Sequence, residues 1–307
     1  MGFKTQIKMI GAGFRNILHG ANLIRNGQTT NYAILQTSHR LEKGMCIRNP
    51  RSGWGYDKAL SLAELIYTEE HKSNPDLEAI NIGKAVLAAY VKHKEVQRDS
   101  TERLDELNAK SQSLNLFASL NPDFGGTKRI LRDQIVVDAK AVEKMFYTRH
   151  SVRDFDDSEV DINKIIKSVE YALRAPSACN RQATHVYIMS AAERQKAGGN
   201  NEYNANRYII LTGIMDAYVP SELEDWIVST SIFAGYLSLA LHAHGIGSCV
   251  IRKPIIYEGD FERKIRTICS IPDNESIVVE MAIGNYKEEF DVPISYRRSA
   301  GDIIKHY

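Results

Sequence analysis

The sequence predicts a helical first part followed by a second part of mixed α and β structure. In the first part, apolar residues recur at the spacing of amphipathic helices. In the second part, short runs rich in β-branched and aromatic residues alternate with helical segments. The length of 307 residues corresponds to about two domains at roughly 150 residues each. We therefore expect a helical N-terminal region over residues 1–130 and a second domain over residues 141–307.

Composition indicates an ordinary soluble globular protein. The chain carries 39 Lys and Arg residues against 38 Asp and Glu residues, with 43% hydrophobic and 25% charged residues. This balance argues against a disordered, collagen-like or nucleic-acid-coating chain, so no nucleic acid partner is expected. The 4 cysteines form no C-x-x-C pair and the histidines form no H-E-x-x-H motif, which argues against a disulfide framework or a metal site. A reducing compartment is favoured, and we expect a cytoplasmic protein.

Helical periodicity dominates the first part. The predicted helices cover residues 60–67, 77–91 and 104–114. On the first of them, Leu60, Ala63 and Tyr67 share the face that is expected to be buried. Asn74 followed by Pro75 predicts the start of the second helix. The loop Asn-Pro-Asp-Phe-Gly-Gly at residues 121–126 is expected to form the boundary between the two parts.

Residues 1–27 form a basic amphipathic pattern. Apolar residues recur at heptad-like spacing, lysines and arginines lie between them, and no acidic residue precedes Glu42. Such a helix can lie on an anionic membrane surface or pack on its own protein. We favour packing, and membrane surface contact through residues 1–27 stays the alternative.

The second part begins with an amphipathic helix whose apolar stripe runs from Ile162 to Leu173. It should end before Pro176, because proline disfavours helical geometry in the residue that precedes it. Strands are predicted at residues 185–189, 207–212 and 276–283, and the longest helix at about 221–244. The uncharged stretch 227–251 is long enough to span a bilayer, which needs about 20 residues. Its serines and histidines favour a buried core helix instead.

A basic segment at residues 149–153 is the first motif that could carry chemistry. In an extended chain, residues two apart project to the same side, so Arg149, Ser151 and Arg153 would present two guanidinium groups and a hydroxyl to one point. Such a set suits a phosphate dianion. The alternative is a helix start with Ser151 as the N-cap and the arginines as surface charge.

A polar loop at residues 175–182, Ala-Pro-Ser-Ala-Cys-Asn-Arg-Gln, is the second motif. It follows an amphipathic helix, precedes a strand and contains no acidic residue. Its short donors and acceptors could contact the polar edge of a planar heteroaromatic ring. An ordinary turn, in which Ser and Asn serve only the backbone, is the alternative.

Several motifs in register resemble the FMN-dependent nitroreductase family. Residues 147–155 and 175–182 resemble the opening of that family, and residues 225–244 resemble its long central helix. Gly-Ile-Gly-Ser-Cys at 245–249 and Ile-Gly-Asn-Tyr at 283–286 resemble its later turn and closing strand. The likeness covers roughly residues 141–307. His39 to Gly44 resembles extended family members found near surface-polysaccharide genes.

The resemblance implies an α+β fold, with a nitroreductase-like mixed sheet flanked by helices, and a homodimer that binds FMN in two interface sites. Arg149, Ser151 and Arg153 would hold the phosphate and ribityl chain, with Arg297 adding positive charge. The other implied FMN-binding residues are Pro176, Ser177, Asn180 and Gln182 from the partner subunit, Gly247 and Ser248 near the reactive ring edge, and Asn200 near the pyrimidine. Arg153 stands where many members have lysine, and Ser295 stands where a basic residue is common.

The reaction implied by the resemblance is reduction of a small organic acceptor by NAD(P)H in a ping-pong hydride mechanism. FMN would be the cofactor and NADPH or NADH the transient reductant, and no catalytic side chain is nominated. Two alternatives stay open at this point. One is a flavin-dependent dehydrogenase, oxidase or dehalogenase of a pathway intermediate. The other is a non-enzymatic FMN-binding or assembly protein linked to surface-polysaccharide biosynthesis.

Overall fold

A computed structural model gives the structure of the chain. It describes residues 28–51, 53–97, 101–116, 121–201, 203–251 and 259–305, together with Leu18 and Ala21. Apart from those two residues, the amphipathic pattern at residues 1–27 lies outside the described residues.

Residues 30–116, here called the helical region, fold around their own buried core. Its helices are α1 (Thr30–Met45), α2 (Tyr56–Glu70), α3 (Leu77–Gln97) and α4 (Thr101–Ser113). The buried face of α2 includes Leu62, Ala63 and Ile66, whereas Tyr67 is 43% exposed, so its predicted burial is wrong. The helix start predicted at Asn74 is also displaced, since α3 begins at Leu77. The Asp76 carboxylate accepts a hydrogen bond from the backbone N–H of Ala79 at 3.0 Å. Helix α1 is unexpected from the sequence.

A linker joins the helical region to the second part. Residues 121–126 stay attached to the helical region, since a Cβ atom at Gly125 would lie 2.5 Å from Val86 Cγ2 of α3. Residues 127–138 are almost wholly exposed and include a 3₁₀ turn at Arg132–Ile135. Helix α5 (Ala139–Thr148) follows, and the Asp138 carboxylate caps it by accepting the backbone N–H groups of Lys140 and Ala141.

The second part is built on a sheet of four strands. They are β1 (Thr184–Ser190), β2 (Arg207–Ile214), β3 (Ile246–Ile251) and β4 (Glu275–Asn285), in the order β1-β2-β4-β3 with antiparallel pairing throughout. A parallel bridge joins Ser151 to Ser248 on the free edge of β3, so the basic segment extends the sheet. The three predicted strands are confirmed. Strand β3 was not predicted, because Gly247 and its neighbours resemble a turn after a helix.

Helices flank this sheet and complete the α+β fold. They are α6 (Ile162–Ala172), α7 (Ala191–Lys196), α8 (Asp225–Ala243), α9 (Gly259–Cys269) and α10 (Ala300–Ile303). Helix α8 begins four residues later than predicted, since Pro220–Glu222 forms a 3₁₀ turn and Glu224 has a φ of 78°. With 19 residues, α8 is the longest described helix of the second part, as predicted, although α3 of the helical region has 21 residues.

The inner face of α8 packs on the sheet, where Phe233, Leu237 and Leu241 belong to the main core. Among the described residues, α8 is the one helix long and apolar enough to cross a membrane, and 50% of that stretch is buried inside the protein. The burial fits the predicted core helix. Its outer face leaves Val228 and Tyr236 exposed.

Candidate functional site

The basic segment is extended and leads from the end of α5 to the edge of the sheet. The backbone N–H of Val152 donates to the Ser248 carbonyl at 3.0 Å, and the Val152 side chain is buried. Ser151 lies in the bridge to β3 and caps no helix, so the alternative of a helix start at this position is wrong. The backbone is therefore extended at Ser151 and Val152, but the cleft beside it is lined by Arg149 and His150 and not by Ser151 or Arg153.

A cleft of about 420 Å³ lies beside the basic segment and contains two arginines. It is lined by Phe146, Tyr147, Arg149, His150, Ile294, Ser295 and Arg297. Among the described residues that line it there is no Asp or Glu. We call it the arginine cleft. Arg153 does not line it, and its Nη1 donates to the Ser151 carbonyl at 3.3 Å. The cleft thus combines two guanidinium groups with aromatic walls, a set that suits an anion attached to an apolar body.

A series of hydrogen bonds holds Thr148, the residue that precedes Arg149 of the arginine cleft. Thr148 Oγ1 contacts His242 Nε2 at 2.8 Å, and His242 Nδ1 contacts the Tyr286 hydroxyl at 2.7 Å. Thr148 donates its own proton to the Lys144 carbonyl at 2.7 Å, so Nε2 carries the hydrogen and Tyr286 donates to Nδ1. Burial, with Arg149 and His150 nearby, lowers the pKa of His242 and favours this neutral form. The residue preceding Arg149 is therefore fixed to α8 and to Tyr286, which directly follows β4.

Gly247 and Ser248 lie on β3, directly beside the basic segment. A Cβ atom at Gly247 would lie 3.1 Å from Phe155 and 3.3 Å from Tyr286, so a larger residue would crowd both rings. The Ser248 side chain is buried. Burial raises the pKa of the neighbouring Cys249 thiol, although Arg153 and Arg149 act in the opposite direction. Cys249 is accordingly a small buried thiol rather than a nucleophile.

The polar loop at 175–182, here called the 175–182 loop, has a strained backbone. Cys179, Asn180 and Gln182 have φ values of 51°, 50° and 50°, in the left-handed region that non-glycine residues seldom adopt. Each such residue costs about 1–3 kcal/mol and persists only where its surroundings fix it. Ser177 Oγ accepts the backbone N–H of Gln182 at 3.0 Å and holds part of this shape.

The 175–182 loop lines a cavity of its own. Pro176, Ser177 and Gln182 border a space of about 20 Å³ beneath α8, and Asn180 projects from the surface. Within the part of the chain that the structure describes, no residue lines both this cavity and the arginine cleft. The two predicted groups of site residues therefore border different cavities in a single chain.

Asn200 lies apart from both groups. It is exposed, and its backbone carbonyl accepts a hydrogen bond from Arg194 Nη1. Arg194 is itself buried against Glu280, with Nε and Oε1 2.5 Å apart. The predicted ligand residue thus has an anchored backbone and a side chain on the surface.

Sequence reasoning missed two supporting residues, Arg181 and Glu222. Arg181 is 1% exposed, and its Nη1 lies 2.7 Å from Glu222 Oε2. One signal was present, because Arg181 is the one charged residue in the 175–182 loop and a charge in such a place usually has a partner. Its partner, however, lies 41 residues further along the chain.

Comparison with known proteins shows similarity to one family. The profile of the Nitroreductase family matches residues 147–211, which include the basic segment, the 175–182 loop and β1. A curated protein of Archaeoglobus fulgidus, named as an NADH dehydrogenase/NAD(P)H nitroreductase, is 28% identical over 156 residues, covering 48% of this chain and 87% of that protein.

Similar solved structures have related names. An FMN-dependent nitroreductase from Clostridium difficile R20291 is 24% identical and matches 54% of this chain and 98% of its own, with a TM-score of 0.43. A nitroreductase with bound FMN from Desulfitobacterium hafniense DCB-2 is 17% identical and matches 56% of this chain and 100% of its own, with a TM-score of 0.45.

Proposed function

We propose that the chain is an FMN-dependent oxidoreductase of the nitroreductase family that uses NAD(P)H to reduce a small organic acceptor, a proposal supported by the profile match at residues 147–211 and by the Archaeoglobus relative. The family supports a flavin-dependent oxidoreductase, and the name of the Archaeoglobus relative suggests the nicotinamide donor. A ping-pong order, with donor and acceptor using the same space in turn, is part of the proposal.

The observation that carries the proposal is the arginine cleft. Its two guanidinium groups can form charge-assisted, bidentate hydrogen bonds with a phosphate dianion, and its lining supplies no carboxylate to compete. The aromatic side chains beside them suit the apolar body of a ligand. The donor set therefore fits the phosphate end of FMN. When bound, FMN supplies the hydride transfer chemistry between NAD(P)H and the acceptor.

The residues of this chain bind and orient the cofactor. Arg149 and Arg297 hold the phosphate, with Ser151 and Arg153 alongside on the same extended segment. Gly247 lets the rings of Phe155 and Tyr286 pack closely against β3, and its backbone is proposed to lie near the reactive ring edge. The remaining contacts are proposed for Ser248, Asn200, Pro176, Ser177, Asn180 and Gln182.

A homodimer would bring the two groups of site residues together. Within one chain the 175–182 loop and the arginine cleft are separate, so we propose that each cleft is completed by the loop of the partner subunit. Apolar surface for this contact is available on the exposed outer face of α8. It is also available near the C-terminal end of the described chain, where Ile294 is 97% and Tyr296 86% exposed.

Residues 1–130 are proposed as an added module of a cytoplasmic enzyme.

Flavin retention tests the proposal directly. Full-length protein purified with added FMN should be yellow, and anaerobic NADPH or NADH should bleach it. Replacement of both cleft arginines, R149Q/R297Q, removes charge-assisted hydrogen bonds worth about 1.5–3 kcal/mol each, so the Kd for FMN should rise by at least about 100-fold.

A matched control removes the same charge elsewhere. R263Q/K264Q acts on exposed residues of α9 and should leave the Kd for FMN unchanged. A colourless wild-type protein that does not bind FMN would refute the proposed function. A yellow protein that neither nicotinamide bleaches would contradict the NAD(P)H step and favour another donor or a binding role.

A further inference from the structure

The strain in the 175–182 loop calls for groups that hold it. Three non-glycine residues within four positions have left-handed φ angles. Such conformations persist where neighbouring structure over-determines them, and they concentrate at ligand-binding sites. The side chains that fix this backbone therefore influence any ligand that the loop contacts.

Arg181 is the side chain that fixes the loop most directly. It is fully buried, while the residues on either side of it are exposed. Its Nε donates to the Ala178 carbonyl at 2.9 Å and closes the loop on itself. Its Nη1 donates to the Ala217 carbonyl at 2.9 Å and to Glu222 Oε2 at 2.7 Å. One guanidinium group thus connects the strained loop to residues 217–222.

The helical region holds residues 217–222 from the other side. Gln36 Nε2 of α1 donates to Glu222 Oε1 at 3.2 Å, so the two oxygens of one carboxylate receive Arg181 and Gln36. Gln28 Nε2 donates to the Ala217 carbonyl at 2.7 Å. Helix α1 also packs directly against the 3₁₀ turn at Ala178–Asn180. The helical region therefore contacts the loop both directly and through Glu222.

Glu222 is suited to join these two donors. Burial alone would raise the pKa of its carboxyl group, but the hydrogen bond and charge of Arg181, the backbone N–H of Val219 and the charge of Arg40 together lower the pKa. The carboxylate stays ionised and accepts from both sides at once. Loss of either donor leaves a partly buried charge with a weaker set of partners.

We propose that Arg181 is a positioning residue for the flavin, and that helix α1 supports it through Glu222. The inference rests on the proposed function, since it concerns the loop assigned there to the FMN of the partner subunit. Arg181 itself is buried away from the ligand. It holds the backbone that presents Asn180 and Gln182, and the helical region completes that support.

Full-length variants test the inference in both the flavin-free and the FMN-bound protein. Q36L, E222Q and R181K each weaken one connection, and Q112L places the same Gln-to-Leu change on an exposed position of α4. Amide hydrogen exchange of residues 175–182 is measured without flavin. The Kd for FMN and the thermal midpoint are measured in parallel.

The expected result is faster exchange of residues 175–182 in the three variants and a Kd for FMN raised about tenfold in E222Q, the order expected when one charge-assisted hydrogen bond is lost. Q112L should match the wild type. R181M should weaken FMN binding more than R181K, because lysine keeps the positive charge although it lacks the planar guanidinium group.

The failures of the two proposals are distinguishable. A wild-type protein that binds no FMN overturns the proposed function and, with it, the flavin role of Arg181. A wild type that binds FMN, with variants that bind it equally well and show only lower thermal midpoints, leaves the proposed function standing. That second pattern refutes the positioning role, because Arg181 would then be merely structural.

Discussion

The Arg194–Glu280 ion pair beneath Asn200 should be costly to break. Its side chains are 5% and 0% exposed, with Nε and Oε1 2.5 Å apart and a second hydrogen bond from Nη2 to Oε2 at 3.3 Å. Arg194→Met would leave a fully buried carboxylate without its arginine. Breaking a buried pair from one side costs about 3–5 kcal/mol, and we expect a loss of stability of that size.

A double-mutant cycle measures this coupling. Urea unfolding of wild type, R194M, E280M and R194M/E280M is followed by circular dichroism at one protein concentration. The double variant should be more stable than the sum of the single losses implies, by about 1–3 kcal/mol, because it leaves no unpaired charge. Arg263–Asp260 is the matched exposed pair, with side chains 72% and 82% exposed. R263M should cost less than about 1 kcal/mol.

Two outcomes would contradict this reasoning. R194M could be no more destabilising than R263M, or the double variant could lose the full sum of the single effects. Either result would mean that Arg194 contributes packing against Tyr208 and Phe261 rather than charge compensation.

Three further predictions follow from other contacts. The hydrogen bond to Glu275 raises the pKa of His185 above its ordinary 6.5, so the stability of this pair is present below about pH 6.5 and is lost as the pH rises through the folded-state pKa. H185N should therefore flatten the fall in the free energy of unfolding as the pH rises above about 6.5, by less than about 1 kcal/mol because the ring is half exposed, as measured by urea unfolding at a series of pH values. G284A places a Cβ 2.5 Å from Phe155 Cβ and should destabilise by about 1–3 kcal/mol in urea unfolding. I232E, on the outer face of α8, should give monomers in light scattering and lower FMN affinity if that face forms the dimer.

Controls exist for these predictions. G301A has its nearest neighbouring atom at 3.7 Å and should be nearly neutral. Y171E charges a 57% exposed residue of α6 and should leave the oligomeric state unchanged. An unaltered pH slope in H185N, a neutral G284A, or an I232E protein of wild-type size and FMN affinity would each contradict the corresponding argument.

The sequence allowed prediction of elements whose pattern is local. The strands at 185–189, 207–212 and 276–283 carry period-two or β-rich runs, and the basic segment is extended at Ser151, which was one of the two interpretations that the sequence allowed. Helix α1 was missed because polar residues such as Gln36 and Ser38 lie on its buried face. Strand β3 was missed because a short run containing Gly247 is indistinguishable from a turn until β4 pairs with it.

The long-range contacts that hold the candidate site could not be predicted from the sequence. Gln36 and Glu222 are separated by 186 positions, and no periodicity links them. The left-handed angles of Cys179 and Gln182 were equally unpredictable, since neither residue type favours them and the surrounding fold imposes them. Residues of the candidate site could be proposed from motifs, whereas the groups that hold them required the structure.

The long sequence separation between Gln36 of α1 and its partner Glu222 has a consequence for protein synthesis. At about 5–20 residues per second, the 186 residues between Gln36 and Glu222 take roughly 10–40 s to translate. During that interval α1 has emerged from the ribosome while the carboxylate it will meet does not yet exist. The 175–182 loop can therefore reach its supported conformation only after Glu222 has been synthesised, and tight cofactor binding should not precede that point.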